Sequence, residues 1–165
     1  MNSLDHVQIA RCIPHAGSMV LLEEVLDWDE RILIAQTGTH RSPDNPLRGP
    51  GGLHAACAIE YASQAMALHG HLRARKRDAE KSRAGLLAGV RAVRFHACRL
   101  DSESGQLLVR AELEYGGEAT AGASDSGAAL YSFEVSAAGR ILVEGRATVV
   151  FDAFRPGGPT IAVAG

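Results

Sequence analysis

Between glycine, proline and Asp/Asn clusters, the period of apolar positions changes only twice along the chain, which marks a helical middle flanked by strands. Met19–Leu26 and Arg31–Thr39 are apolar or alternating runs separated by the polar tip Asp27-Trp28-Asp29-Glu30, a pattern that predicts a hairpin. Upstream, residues 1–13 predict a short helical turn capped at Ser3, after which Pro14 holds Ile13 extended. Residues 40–52 contain three prolines and three glycines, too many breakers for a regular element. From Leu53 to about Leu72 helix formers dominate, and Gly70 predicts the stop. Alanines at 55, 56, 58, 62, 65 and 67 leave this helix apolar nearly all round, so burial on most sides against a sheet is expected. After the charged stretch Arg73–Arg83 come four β-like runs, Gly85–Leu100, Gly105–Tyr115, Gly127–Ser136 and Arg140–Phe151, with Gly116–Ser126 between the middle pair.

Strands on both sides of one buried helix argue against alternating βαβ units. They predict an α+β domain in which an antiparallel sheet wraps one long central helix. The 165 residues suit a single domain, here residues 1–154, followed by a Pro/Gly-rich peripheral tail at 155–165. Lys plus Arg is 17 and Asp plus Glu is 19, a formal charge of −2, so no global basic field exists to hold nucleic acid. Cys12, Cys57 and Cys98 form no Cys-x-x-Cys pair and read as reduced, mostly buried thiols. The first residues lack the basic and apolar regions of a secretory signal, and no long uninterrupted apolar run follows. A cytoplasmic protein with no membrane span is therefore expected.

Glu60 is the strongest anomaly, a carboxylate in the middle of a helix whose other positions demand burial. An unpaired buried charge is expensive, so such a group needs a partner. Gln64, four residues on, shares its face and can orient the carboxyl. The bland alternative is a narrow polar stripe of Glu60, Ser63 and Gln64 facing solvent. His15 is the second candidate, held in a loop by Pro14 and followed by Ala16-Gly17, a stiff setting for a general base. His69 and His71 at the helix end are accounted for by the helix dipole. Their spacing of two would not share a helix face, so no metal site is expected.

Pro14-His15 followed by Met19-Val-Leu-Leu-Glu-Glu-Val, with Ile59-Glu60-Tyr61-Ala62-Ser63-Gln64-Ala65 on the central helix, resembles the 3-hydroxyacyl-[acyl-carrier-protein] dehydratases of the hotdog fold. More narrowly, Pro-His-Ala-Gly, Pro-Asp-Asn-Pro-Leu and Ile-Glu-Tyr-Ala-x-Gln-Ala-Met-Ala look like the small dehydratase-like branch of bacterial aryl-polyene pathways. The resemblance implies a catalytic pair, His15 as base and Glu60 as acid, meeting across a homodimer interface, with no cofactor and no metal. A neutral imidazole has a pKa near the working pH and can remove the α proton, while a carboxylic acid protonates the departing hydroxide. Backbone N–H groups at the helix start, around His54 and Ala55, are then expected to stabilise the thioester oxygen as substrate-binding positions, together with Gln64. The family usually has Pro-Gly there, and this chain has His54-Ala55 instead.

The implied partners are an acyl carrier protein bearing a phosphopantetheine-linked substrate and a second hotdog chain, identical or paralogous. Segment His71–Arg83 carries seven basic residues, His71 included, against two acidic ones. It is either a steering patch for an acidic carrier or, more simply, a solvated helix end. Two other functions stay open at this point: a thioesterase in which Glu60 alone does the chemistry, and a non-catalytic acyl-binding subunit that supports a paralogue.

Overall fold

The computed structural model describes residues 3–76, 85–116 and 128–151. The elements run β1 (Leu4–Asp5), α1 (His6–Ala10), β2 (Glu24–Trp28), β3 (Ile32–Thr37), α2 (Ala58–Lys76), β4 (Gly85–Phe95), β5 (Leu107–Gly116), β6 (Ala128–Ala137) and β7 (Arg140–Phe151). All seven strands form one sheet in the order β1-β2-β3-β5-β6-β7-β4, and every pairing is antiparallel. The central helix lies against β3, β5 and β6, so the expected α+β wrapping of one helix by an antiparallel sheet is what forms.

The alternation in the late strands sets that geometry. In β5 the residues Leu107, Val109, Ala111 and Leu113 are buried, and in β6 Ala129, Tyr131, Phe133, Val135 and Ala137 are. With a side-chain period of two, these rows all face the helix. On α2 the small residues Ala58, Ala62 and Ala65 are completely buried, which lets backbone and sheet approach closely.

Several boundaries differ from the expectation, among them the start of the central α-helix, at Ala58 rather than Leu53. The cap of α1 is Asp5, not Ser3: its carboxylate accepts from Gln8 N at 2.9 Å while Gln8 Oε1 accepts from Asp5 N, a reciprocal capping box. The first hairpin strand begins at Glu24 rather than Met19. Upstream of it, Leu21 N–H donates to Gln64 and Leu21 O accepts from the Thr37 and Thr39 hydroxyls, so side chains replace the ladder. The helix passes Gly70 and reaches Lys76, because Leu68, His69 and Leu72 are buried around the glycine and packing overrides its propensity. Finally, β4 stops at Phe95 instead of Leu100, since residues 97–100 leave the sheet to join the start of the central helix segment, with Ala55 N–H donating to Cys98 O. The tail at 155–165 and the segment 117–126 lie outside the described residues. Among the described residues, no helix is long and apolar enough to cross a membrane.

Candidate functional site

Pro14 and Gly17 bracket His15 in the loop between α1 and β2. Gly17 adopts φ +60°, a left-handed conformation that suits glycine. The loop is then pinned to α2 by one side chain. Gln64, fully buried, donates to Met19 O at 2.7 Å and accepts from Leu21 N at 2.9 Å. Its amide also donates to Glu60 Oε1 at 3.1 Å. The three points of attachment fix the loop and the carboxylate in one frame.

In that frame His15 Nε2 stands 2.9 Å from Glu60 Oε1, with side chains 24% and 31% exposed. Two of the expected site residues, one from a loop and one from the helix, are therefore brought together, and Gln64 joins them. The pair was expected across two chains; within a single chain the contact already forms, because Gln64 ties the loop to its own helix. The alternative of a solvent-facing polar stripe fails, since Gln64 points into the core and Glu60 into His15. The Nδ1 atom of His15 is buried and has no hydrogen-bond partner among the described residues. Nε2 is the ring nitrogen that faces the carboxylate.

Of the two expected helix-start positions, Ala55 has its N–H engaged by another segment. Ala55 N–H donates to Cys98 O at 2.9 Å, and Leu100 N–H donates to Leu53 O at 2.9 Å, zipping the helix start to the segment after β4. Ala56 N–H donates to His54 Nδ1 at 3.1 Å, and Cys57 N–H to His54 O. These amides are spent on internal partners, and the first turn, Ala55–Cys57, is a 3-10 turn rather than α-helix. The same corner is anchored by Asp101, whose carboxylate accepts from Arg48 at 2.7 Å and from Arg99 at 2.6 Å. The Arg99 guanidinium holds that carboxyl well below the usual range.

A second buried network was not foreseen. The hydroxyl of Tyr61, next to Glu60 on α2, accepts from Asn45 Nδ2 at 2.8 Å and shares a hydrogen bond with Thr39 at 3.1 Å. Burial raises the Tyr61 pKa. The polar Thr37 and Thr39 at the end of an otherwise alternating strand were the only sequence hint. A groove of about 570 Å³ opens beside this network, lined by Gly17, Ser18, Val20, Thr39 and Asn45 among others. Neither His15 nor Glu60 lines it.

Of the expected basic patch, Arg73 and Lys76 turn onto Glu30, at 3.4 and 3.3 Å, and Lys76 also lies over the Trp28 ring. Residues 77–83 lie outside the described residues. Cys98 is exposed, and Cys12 and Cys57 are half-buried, so the thiols are less enclosed than expected. Among the described residues, no three His, Cys, Asp or Glu side chains are grouped to hold a metal ion.

No curated protein sequence matches the chain. Among solved structures it is similar to the dehydratase heterocomplex ApeI:P from Xenorhabdus doucetiae, at 26% identity and a TM-score of 0.72, over 87% of this chain and 90% of that one. It also shares its fold with a mutant of the thioesterase PA1618 from Pseudomonas aeruginosa, at 15% identity and a TM-score of 0.59, over 90% of this chain and 94% of that one. The thioesterase HI1161 from Haemophilus influenzae, at 12% identity and a TM-score of 0.58 over 90% of each chain, has the fold as well. Residues 7–155 match the model of the ApeP-like family, described as ApeP dehydratase, and the chain belongs to that hotdog-fold dehydratase family.

Proposed function

We propose that this dehydratase removes water from 3-hydroxyacyl thioesters carried on the phosphopantetheine arm of an acyl carrier protein, in a fatty-acid-like or aryl-polyene pathway, using His15 and Glu60. The observation that carries the reading is the 2.9 Å contact between His15 Nε2 and Glu60 Oε1 on a loop and helix locked together by Gln64. With Nδ1 buried, Nε2 is the nitrogen that takes the α proton. The electrons of that C–H bond form the α,β double bond, and the C–O bond at the β carbon breaks. The departing hydroxide takes the proton of Glu60 and leaves as water. His15 is then protonated and Glu60 ionised, and the proton passes back across the same contact to restore both groups.

The edge strand β4, eleven residues long, supports a partner. Val90 and Phe95 on it stand opposite the buried Ala147 and Val143, hence on the helix side of the sheet, yet are 36% and 49% exposed. A long edge strand with apolar side chains calls for cover, and a second hotdog subunit, identical or paralogous, supplies it by continuing the sheet. The heterocomplex of the ApeI:P relative is consistent with the paralogous choice.

The test is incubation with 3-hydroxyacyl and 2-enoyl carrier-protein thioesters, read by intact mass as the loss or gain of one water. His15→Ala and Glu60→Gln should each slow dehydration by about two to four orders of magnitude, and the double variant should add little. Release of free acid that His15→Ala leaves unslowed would mean a thioesterase, and no turnover in any variant would mean a non-catalytic subunit; either sinks the proposal.

A further inference from the structure

On the convex face of the sheet, charges alternate across strands in one row and fail to do so in the next. Arg94 on β4 stands opposite Glu144 on β7, with 3.7 Å between guanidinium and carboxylate. One row along, Arg91 stands opposite Arg146, so the strand beside it offers a like charge. Arg146 is satisfied from the other side, by Glu114 at 3.2 Å. Arg91 has no carboxylate partner among the described residues. It ends its row on the edge of the sheet, where a residue of an incoming strand can neutralise it.

A second copy of this chain cannot do so by pairing β4 with β4. The strand reads Gly-Leu-Leu-Ala-Gly-Val-Arg-Ala-Val-Arg-Phe and contains no carboxylate. Whatever the register, Arg91 would face glycine, an apolar residue or another arginine. Pairing about the middle of the strand would set the two Arg91 side chains on one face, roughly 7–8 Å apart on the diagonal, where long side chains still interact. Each would also sit beside its own Arg146. Like charges across an edge disfavour a partner as surely as unlike charges favour one.

We propose that β4 docks a second, non-identical hotdog subunit whose facing strand presents carboxylate on the convex face, and that Arg91 selects that subunit over a second copy of this chain. This rests on the reading of β4 as the pairing edge. The apolar side chains Val90 and Phe95 supply attraction on the helix side, and Arg91 supplies the choice on the other.

A charge swap within the protein itself tests the selection. Isotope-labelled wild type and unlabelled Arg91→Glu are mixed in equal amounts and examined by native mass spectrometry. If Arg91 selects carboxylate, mixed dimers reach about three-quarters of all dimers, against the half expected for indifferent chains, and the excess shrinks as salt is raised. A statistical share, or no mixed dimers, overturns the selection. Val90→Lys, a change at an exposed position, is introduced into both chains as a control on the edge itself. Mixed dimers should then be lost with each chain's melting temperature unchanged. Dimers that survive Val90→Lys show that the chains meet elsewhere, which overturns β4 as the edge independently of the charge result.

Discussion

Gln64 is the residue on which the candidate site depends most, although it takes no part in proton transfer. Its amide joins residues 45 and 43 positions upstream, Met19 and Leu21, to the carboxylate of Glu60. Gln64→Ala would strand the buried Leu21 N–H, at a cost of about 1–3 kcal/mol, and would free both the His15 loop and Glu60. Urea unfolding should show that loss, and dehydration should fall with it. A variant as stable and as active as wild type would show that the loop holds itself. The pairing of Gln64 with Glu60 was legible in the sequence, because four residues make one helical turn. Its grip on Met19 and Leu21 was not, since no local period reports a contact between segments so far apart. The Tyr61, Asn45 and Thr39 network was hidden for the same reason. The internal use of the Ala55 amide was invisible in another way: it depends on Cys98, which the strand pattern placed inside β4.

At the scale of elements, the turn joining β6 to β7 carries an unexploited gain. Its two central residues, Ala138 and Gly139, have φ of +49° and +74°, the backbone of a two-residue hairpin loop with both positions left-handed. Glycine adopts this at no steric cost, but an alanine there costs roughly 1 kcal/mol. Ala138→Asn should therefore stabilise the fold by about 0.5–1 kcal/mol and raise Tm by a few degrees, whereas the β-branched Ala138→Val should lower it. Equal melting of all three proteins would remove the argument. The hairpin itself was legible, because alternation on either side of Ala-Ala-Gly leaves few other solutions. Strand alternation and the Ala-rich helix were strong enough to give the order of elements and the α+β class. Boundaries failed where tertiary contacts compete with local preference, as at Gly70 in mid-helix and at Met19–Glu23, whose backbone is satisfied by Gln64 and two threonines.

The molecule as a whole contains buried histidines that the candidate chemistry does not use, and they make its stability depend on pH. His69 is fully buried on α2, with Nε2 donating to Asp29 O at 2.8 Å and Nδ1 accepting from Tyr131 at 3.0 Å. Burial is the main reason its pKa lies below the ordinary histidine value, and the same cause lowers His40 and His71. Tyr131, its partner, is pushed up to about 12 by burial and stays neutral throughout. Around His69 the charged groups are Arg73 on its own helix and Asp29 and Glu30 on the turn between β2 and β3. The carboxylates favour the imidazolium, but less than desolvation opposes it. A histidine that ionises at lower pH in the folded chain than in the unfolded one leaves the unfolded chain holding more protons below about pH 6.5. Stability is thus fully present above that pH and is lost as pH falls toward the folded pKa, at up to about 1.4 kcal/mol per pH unit for His69. The carboxylates of Asp29 and Asp101, both lowered, behave in the same sense but act only below about pH 4. Urea midpoints measured at pH 7.5, 6.5 and 5.5 should therefore decline for the wild type. In His69→Gln, which keeps an amide donor for Asp29 O but has nothing to titrate, the protein should be weaker at pH 7.5 and its decline shallower. A wild-type midpoint that holds or rises between pH 7.5 and 5.5 would show that these histidines charge as readily in the folded chain as in the unfolded one.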